Sequence, residues 1–195
     1  MKLTLLRHGH TPLIGRFCGK SDPELTPEGL AEVQARCDGR SWSFVASSPA
    51  RRCLSFASDL SEQVFVDDGF WEMDFGSWES RSTEEIWKEE SDALKAFWRD
   101  PHLSPPPGGE SWGAFADRVV EACARLHAKA SAEGAEDVLL IVHAGVMRAV
   151  LERFIGIPLA ASWNISLPPA SILELELSAD PKGGALRAML AGLHT

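Results

Sequence analysis

Positive charge is scarce in this chain: 19 Lys and Arg face 28 Asp and Glu, giving a formal net charge of -9 and a pI near 5.1. General affinity for nucleic acid or an anionic membrane needs clustered cations that displace counterions, so neither partner is expected, and any anion must bind in a local basic pocket. Cysteine is sparse too. Cys18, Cys37, Cys53 and Cys123 are scattered and form no Cys-x-x-Cys pair, which argues against a zinc site or a disulfide framework and fits reduced thiols. Long hydrophobic runs are missing. Leu3 to Leu6 is broken by Arg7 and His8 well short of a signal-peptide core or a membrane span, so a cytoplasmic location is expected. There is no internal repeat and no low-complexity tail.

What is present suits one core: 45% of the 195 residues are hydrophobic, and a single domain spanning 1–195 is expected. Leu3 to Leu6 and Val138 to Val142 are short apolar runs of the kind found in strands covered on both faces, and Ser43 to Ser47 is a third strand candidate. Helical spacing follows Thr26-Pro27 through Leu30, Val33 and Cys37. It recurs over Pro49 to Leu60, Thr83 to Trp98, Glu110 to Ala130 and Val146 to Ile155. Ser171 to Leu177 alternates and should pair with Ala185 to Leu190 across the turn signal Pro181-Lys182-Gly183-Gly184. Strand and helix therefore alternate, which predicts a three-layer α/β/α sandwich on a mostly parallel sheet. Residues 69–113 read as a small cap-like insertion over one end of that sheet; they hold five of the seven tryptophans and close on Ser104-Pro105-Pro106-Pro107-Gly108-Gly109. Those tryptophans either cover an apolar ligand or fill a core of their own.

Two histidines stand at the carboxyl ends of predicted strands, His8 in Arg7-His8-Gly9-His10-Thr11 and His143 in His143-Ala144-Gly145. In an open parallel sheet those ends line one crevice, so residues far apart in sequence can meet there. A third strand ends in Ser47-Ser48-Pro49-Ala50-Arg51-Arg52, where Ser48 is expected to cap a helix and Pro49 to take its first position. Guanidinium forks match phosphate oxygens, and helix N-termini add partial positive charge, so the set predicts a phosphate site with no metal and no cofactor. A single histidine is as readily a satisfied core residue. Joint placement is what points to chemistry.

Arg7-His8-Gly9-His10-Thr11 resembles the signature of the histidine phosphatase superfamily, the group that includes the cofactor-dependent phosphoglycerate mutases. Leu25-Thr26-Pro27-Glu28-Gly29, Ser47-Ser48-Pro49-Ala50-Arg51-Arg52 and Val142-His143-Ala144-Gly145-Val146-Met147-Arg148 resemble three further motifs of that family. The resemblance implies a phosphoglycerate mutase-like fold and a phosphatase in which His8 attacks phosphorus and becomes a phosphohistidine. It also implies that Arg7, Arg52 and His143 bind the phosphoryl group and that Glu72 is the proton donor. Gly9, Thr11 and Ala144 complete the implied phosphate-binding set, with Gly9 expected to let the backbone turn tightly beside His8. Arg52 rather than Arg51 fits the motif spacing, leaving Arg51 as a surface or rim charge. Asp74 and Glu79 are rivals to Glu72, and sequence alone does not decide which carboxylate faces the pocket.

The chemistry follows from these residue types. Free imidazole has a pKa of about 6.5, and Arg7 and Arg52 are expected to disfavour its charged form and keep a lone pair available. The arginines and His143 would hold the equatorial oxygens while a carboxylic acid, its pKa raised beside Trp71 and Phe75, protonates the departing alkoxide. Water would then attack the phosphohistidine.

Other segments carry less. Gly15-Arg16-Phe17-Cys18-Gly19-Lys20-Ser21 has three residues between its glycines where a P-loop needs four, so it reads as a loop beside the pocket with Lys20 at the rim. His10, His102, His127 and His194 lack partners at metal-ligand spacing. Glu84, Glu85, Glu89 and Glu90 read as a solvated helix face. Ile14 and Ser80 stand where the family commonly has Asn and Gly.

Gly15-x-x-Cys18-Gly19-x-x-Asp22, Trp71-Glu72-Met73-Asp74-Phe75-Gly76-Ser77-Trp78-Glu79 and Pro106-Pro107-Gly108-Gly109-Glu110-Ser111 are similar to the α-ribazole phosphatase branch. That branch implies α-ribazole 5′-phosphate or adenosylcobalamin 5′-phosphate as substrate, in cobalamin synthesis. A broad-specificity phosphatase or a phosphoglycerate mutase is the alternative within the family, and a catalytically silent phospholigand-binding protein the alternative outside it. The expected partner is a small-molecule phosphate monoester, and a homodimer is left open.

Overall fold

A near-continuous apolar run stays in water unless both faces of its strand are covered, and β1 (Lys2–Arg7) meets that condition. In the computed structural model, which describes residues 1–179 and 186–195, β1 lies inside a six-stranded sheet of order β3-β2-β4-β1-β5-β6. It pairs in parallel with β4 (Asp137–Val142) and antiparallel with β5 (Ile172–Ala179). Parallel pairing continues from β4 to β2 (Phe44–Ser47) and from β2 to β3 (Val64–Val66), while β6 (Leu186–His194) closes the other edge antiparallel to β5.

Side chains alternate across this sheet. Leu3, Leu5, Leu140 and Val142 enter one buried cluster with Phe115, Val119 and Leu126 of α4 (Trp112–Ala132). Leu6, Leu139 and Ile141 enter another with Val33 of α1 (Pro27–Cys37) and Phe56 of α2 (Arg51–Leu60). Helices thus cover both faces, and the three-layer architecture is the one predicted. Each fully buried Leu, Val or Phe contributes roughly 1.5–3 kcal/mol.

Helix starts follow capping chemistry. Thr26 caps α1, accepting from Gly29 N–H at 3.0 Å with Pro27 next in line. Ser82 and Glu85 form a capping box at α3 (Thr83–Arg99). Helix α5 begins at Ala144 rather than Val146, because His143 is its N-cap; it spans Ala144–Val150 and runs into a π-helical turn, Leu151–Ile155. The short α6 (Leu159–Ser162) follows. The turn expected at Pro181-Lys182-Gly183-Gly184 lies outside the described residues.

Residues 69–113 do not build a separate core. Trp78, Ile86, Leu94, Phe97 and Trp112 share one cluster with Leu3 and Leu5 of the sheet. Trp78 and Trp112 are buried, whereas Trp87 and Trp98 stack on the outside with ring centroids 6.3 Å apart.

Candidate active site

The strand order sets β2, β4 and β1 side by side, so the chain leaves three neighbouring carboxyl ends at one place. His8 N–H donates to Val142 O and Ser48 N–H to Ile141 O, each at 2.9 Å, and these two bonds carry the ladder one residue beyond the strands. The result brings His8 and His143 together with ring centroids 5.3 Å apart and planes at 65°.

His8 Nδ1–H donates to Gly9 O at 2.8 Å, which fixes the tautomer and leaves Nε2 without a hydrogen-bond partner among the described residues. Its pKa is pushed down to about 3, first by burial and then by the charges of Arg52 and Arg7. The ring is therefore neutral as expected, although desolvation outweighs the arginines. Gly9 works differently from the expected tight turn. Its φ is not in the left-handed region; a Cβ there would lie 2.0 Å from Gly29 O, and one on Gly29 would lie 2.1 Å from His10 O. The two glycines let the loop that carries His8 press onto the first turn of α1. His10 is tied to the same helix, its Nδ1 2.6 Å from Glu32 Oε1.

His143 is fully buried, and both its ring nitrogens are taken. Arg52 Nε–H donates to Nδ1 at 3.3 Å, which leaves the ring proton on Nε2 to donate to Ser48 Oγ at 2.8 Å. Burial, then Arg52, hold its pKa well below the ordinary value. Ser48 is thus not a helix cap: Ala50 occupies the cap of α2 with no side-chain bond, Pro49 precedes the helix, and the Ser48 hydroxyl serves His143. Arg52 is fully buried as well. Its Nη1 donates to Ser21 O at 2.7 Å and its Nη2 to Cys18 O and Gly19 O at 3.2 and 3.1 Å. The fork expected to grip an anion directly is closed on a loop, while Nε touches His143 and the charge reaches His8 through space. Arg51, by contrast, is exposed and pairs with Glu24.

A cavity of about 180 Å³ opens between Arg7, His8, Thr11, Cys18, Glu72 and Phe75. Arg7 donates through Nη1 to Leu167 O, while its buried Nε has no hydrogen-bond partner among the described residues. Glu72 is 8% exposed. Its Oε1 accepts from Met73 N–H and its Oε2 from Gly145 N–H, both at 2.9 Å. Burial nonetheless raises its pKa against those bonds and the nearby arginines.

Glu72 also lines a second cavity of about 600 Å³ with Trp71 and Asp68. Of the three rival carboxylates it alone borders both spaces. Asp74 is paired with Lys20 at 2.6 Å, which lowers its pKa, and Glu79 accepts backbone bonds from the 19–21 loop and from Phe75. The geometry can place a neutral nitrogen and a carboxyl of raised pKa on one phosphorus.

Several contributors escape a sequence reading. Arg118 donates to Gly69 O, Trp71 O and Glu72 O at 2.9, 2.8 and 3.1 Å while its fork holds Glu110, so it fixes the segment that carries Glu72. Gly145 has no room for a side chain, since a Cβ would lie 2.0 Å from Glu72 Oε1. Ile14, 53% exposed, lies at the rim of the smaller cavity, and Ser80 adopts φ +63° where the family commonly has Gly. Glu84, Glu85 and Glu89 of the acidic run of α3 are exposed as expected, while Glu90 is half-buried, pairing with Arg81 and accepting from Trp78 Nε1–H. No metal-ligating cluster of His, Cys, Asp and Glu occurs among the described residues.

Comparison with known proteins agrees with this geometry. Residues 3–189 match the model of the histidine phosphatase superfamily (branch 1). The chain is 30% identical over 173 residues to the adenosylcobalamin/alpha-ribazole phosphatase of Escherichia coli, covering 84% of each chain. It is 34% identical over 181 residues to an acid phosphatase of Mycobacterium tuberculosis, covering 88% of this chain and 84% of that one. The crystal structure of the alpha-ribazole phosphatase from Shigella flexneri superposes with a TM-score of 0.81 at 26% identity, over 100% of this chain and 96% of the other. An uncharged histidine and a buried glutamate whose pKa is raised by burial, lining one cavity in this sheet and with these relatives, place the chain in branch 1 of the histidine phosphatase superfamily, as an enzyme that hydrolyses phosphate esters.

Proposed function

We propose that the chain hydrolyses a small-molecule phosphate monoester through a phosphohistidine on His8, the ester being α-ribazole 5′-phosphate or adenosylcobalamin 5′-phosphate. The observation that carries this reading is the pairing across one small cavity of His8 Nε2, unbonded and uncharged, with the buried carboxyl of Glu72. The Nε2 lone pair attacks phosphorus, the ester P–O bond breaks, and the alkoxide takes the Glu72 proton. Arg7 and Arg52 offset the charge of the phosphoryl group, and the Nδ1–H bond to Gly9 O supports the ring while it carries phosphorus. Water then forms the new P–O bond as the N–P bond breaks, giving its proton to the Glu72 carboxylate; inorganic phosphate leaves and the site is restored.

The larger cavity favours such a leaving group. Its two cations are already engaged, Lys20 by Asp74 at 2.6 Å and Arg118 by Glu110 at 2.8 Å, while Asp68 adds negative charge. Such a space disfavours a carboxylate-bearing group, as in a phosphoglycerate, and the Trp71 ring offers a face to a neutral heteroaromatic base. Likeness to the two alpha-ribazole phosphatases points the same way. A broad-specificity phosphatase is the second reading, favoured by the 34% identity to a mycobacterial acid phosphatase. The unpaired cysteines among the described residues suit a reducing cytoplasm.

Phosphate release measured across α-ribazole 5′-phosphate, 3-phosphoglycerate, phosphoserine and an aryl phosphate tests the substrate. Fastest turnover of α-ribazole 5′-phosphate is expected; negligible turnover of it beside rapid turnover of another ester would reject the choice. His8→Ala should abolish hydrolysis in a folded protein.

A further inference from the structure

Three successive amides of the Cys18–Ser21 loop converge on one side chain. Gly19 N–H donates to Glu79 Oε1 at 3.1 Å, Lys20 N–H to Oε1 at 3.0 Å and Ser21 N–H to Oε2 at 3.1 Å, with Ser21 Oγ–H adding 2.6 Å to Oε2. Consecutive amides aimed at one anion form a nest. A trans peptide is planar, and its C=O points opposite to its N–H. The units whose N–H groups face Glu79 are therefore the ones whose carbonyls, Cys18 O and Gly19 O, face the other way, onto Arg52 Nη2 at 3.2 and 3.1 Å. Ser21 O completes the grip on Nη1 at 2.7 Å. The loop has little room to deviate: a Cβ on Gly19 would lie 1.9 Å from Met73 O and 2.5 Å from Glu79 Oε1. From Arg52 the line continues through Nε to His143 Nδ1 at 3.3 Å.

We propose that Glu79 is a positioning residue: its carboxylate sets the carbonyls of the 18–21 loop, and these hold the Arg52 guanidinium beside His143 and His8. The inference rests on the phosphatase reading, in which Arg52 supplies charge to the phosphoryl group. It gives Glu79 a task separate from proton donation and makes the backbone of the Gly19-Lys20-Ser21 segment part of the site through its grip on Arg52.

The test is a double-mutant cycle on the whole chain, read as kcat/KM for 4-nitrophenyl phosphate and as the inhibition constant of inorganic phosphate, with the thermal transition recorded for every variant. Glu79→Gln should lower kcat/KM by up to about 100-fold, the scale of a misplaced group, and weaken phosphate inhibition. Ser21→Ala should shift both in the same direction by about tenfold or less, one charge-assisted bond being lost. In an Arg52→Lys background the ammonium cannot be gripped as a fork is, so Glu79→Gln should cost less than about threefold more. A folded Glu79→Gln protein with unchanged kinetics and phosphate inhibition overturns the proposal, and so does a loss that is equally large with Lys at position 52. If Glu79→Gln does not fold, Ser21→Ala takes its place in the cycle, and the same two outcomes overturn the proposal. A wild-type protein inactive on every monoester, or an Arg52→Lys variant as active as wild type, would instead bring down the underlying reading, and this proposal with it.

Discussion

Gly145 donates its N–H to Glu72 Oε2 at 2.9 Å, and a Cβ on Gly145 would stand 2.0 Å from Oε1 of the same carboxylate. The start of α5 and the acid thus fit each other only while position 145 has no side chain. Gly145→Ala should push the carboxyl aside and lower kcat/KM for an alkyl phosphate by about 100- to 10,000-fold, the loss also expected of Glu72→Gln. A nitrophenyl ester, whose leaving group departs without a proton, should lose far less. Undiminished alkyl ester turnover by folded Gly145→Ala protein would remove Glu72 from the donor role.

Stability should fall with acid, and the sign follows from proton counts. His8 is neutral in the fold down to about pH 3 but takes a proton near 6.5 once unfolded, so between those values the unfolded chain binds the extra proton. His143, also depressed, adds in the same direction. For His8 this removes about 1.4 kcal/mol per pH unit as the pH drops through that window. Glu72 acts oppositely: its raised pKa favours the fold at low pH and is lost as pH rises above the unfolded carboxyl value. Urea unfolding at several pH values should give a shallower acid dependence for His8→Gln than for wild type, and equal slopes would contradict the neutral, buried ring.

Ser48→Ala separates two roles for one hydroxyl. A helix cap alone would cost about 1 kcal/mol and leave catalysis untouched. Because Ser48 Oγ accepts from His143 Nε2–H, its loss should cost about 1–3 kcal/mol and free the ring to exchange tautomers, lowering kcat/KM at least about tenfold. Chemical unfolding and steady-state kinetics on the same preparation check both numbers; wild-type kinetics would contradict the support of the His143 ring by Ser48.

Much of this site is legible in the sequence because its residues sit at the ends of strands whose burial is written locally. Leu3 to Leu6 and Val138 to Val142 are apolar enough to be recognised without context, and His8 and His143 follow them directly. The edge strand β3 gives no such signal, since Val64–Val66 is three residues long, flanked by polar residues and only partly buried. Arg118 looks in sequence like any arginine on a helix; that it gathers three carbonyls around Glu72 depends on how α4 packs, which no local pattern encodes. Ser48 reads as a cap for a related reason. Capping chemistry is local and easily anticipated, whereas its hydrogen bond joins residues 95 positions apart. Arg52 lies where its motif predicts but with its fork turned to loop carbonyls, an orientation set by the amides around Glu79.

Glu72 stands between a narrow chamber that holds the attacking ring and a wider one beside Trp71. In the proposed reaction that wall would impose a sequence on departure: the freed alcohol would have to clear the outer room before a solvent molecule reached the deprotonated carboxylate on its way to phosphorus. An alcohol that lingered there would meet a phosphorylated His8 from the same side as water, so reversal and hydrolysis would compete for one doorway, and the residence time of the first product would govern how often the cycle runs forward.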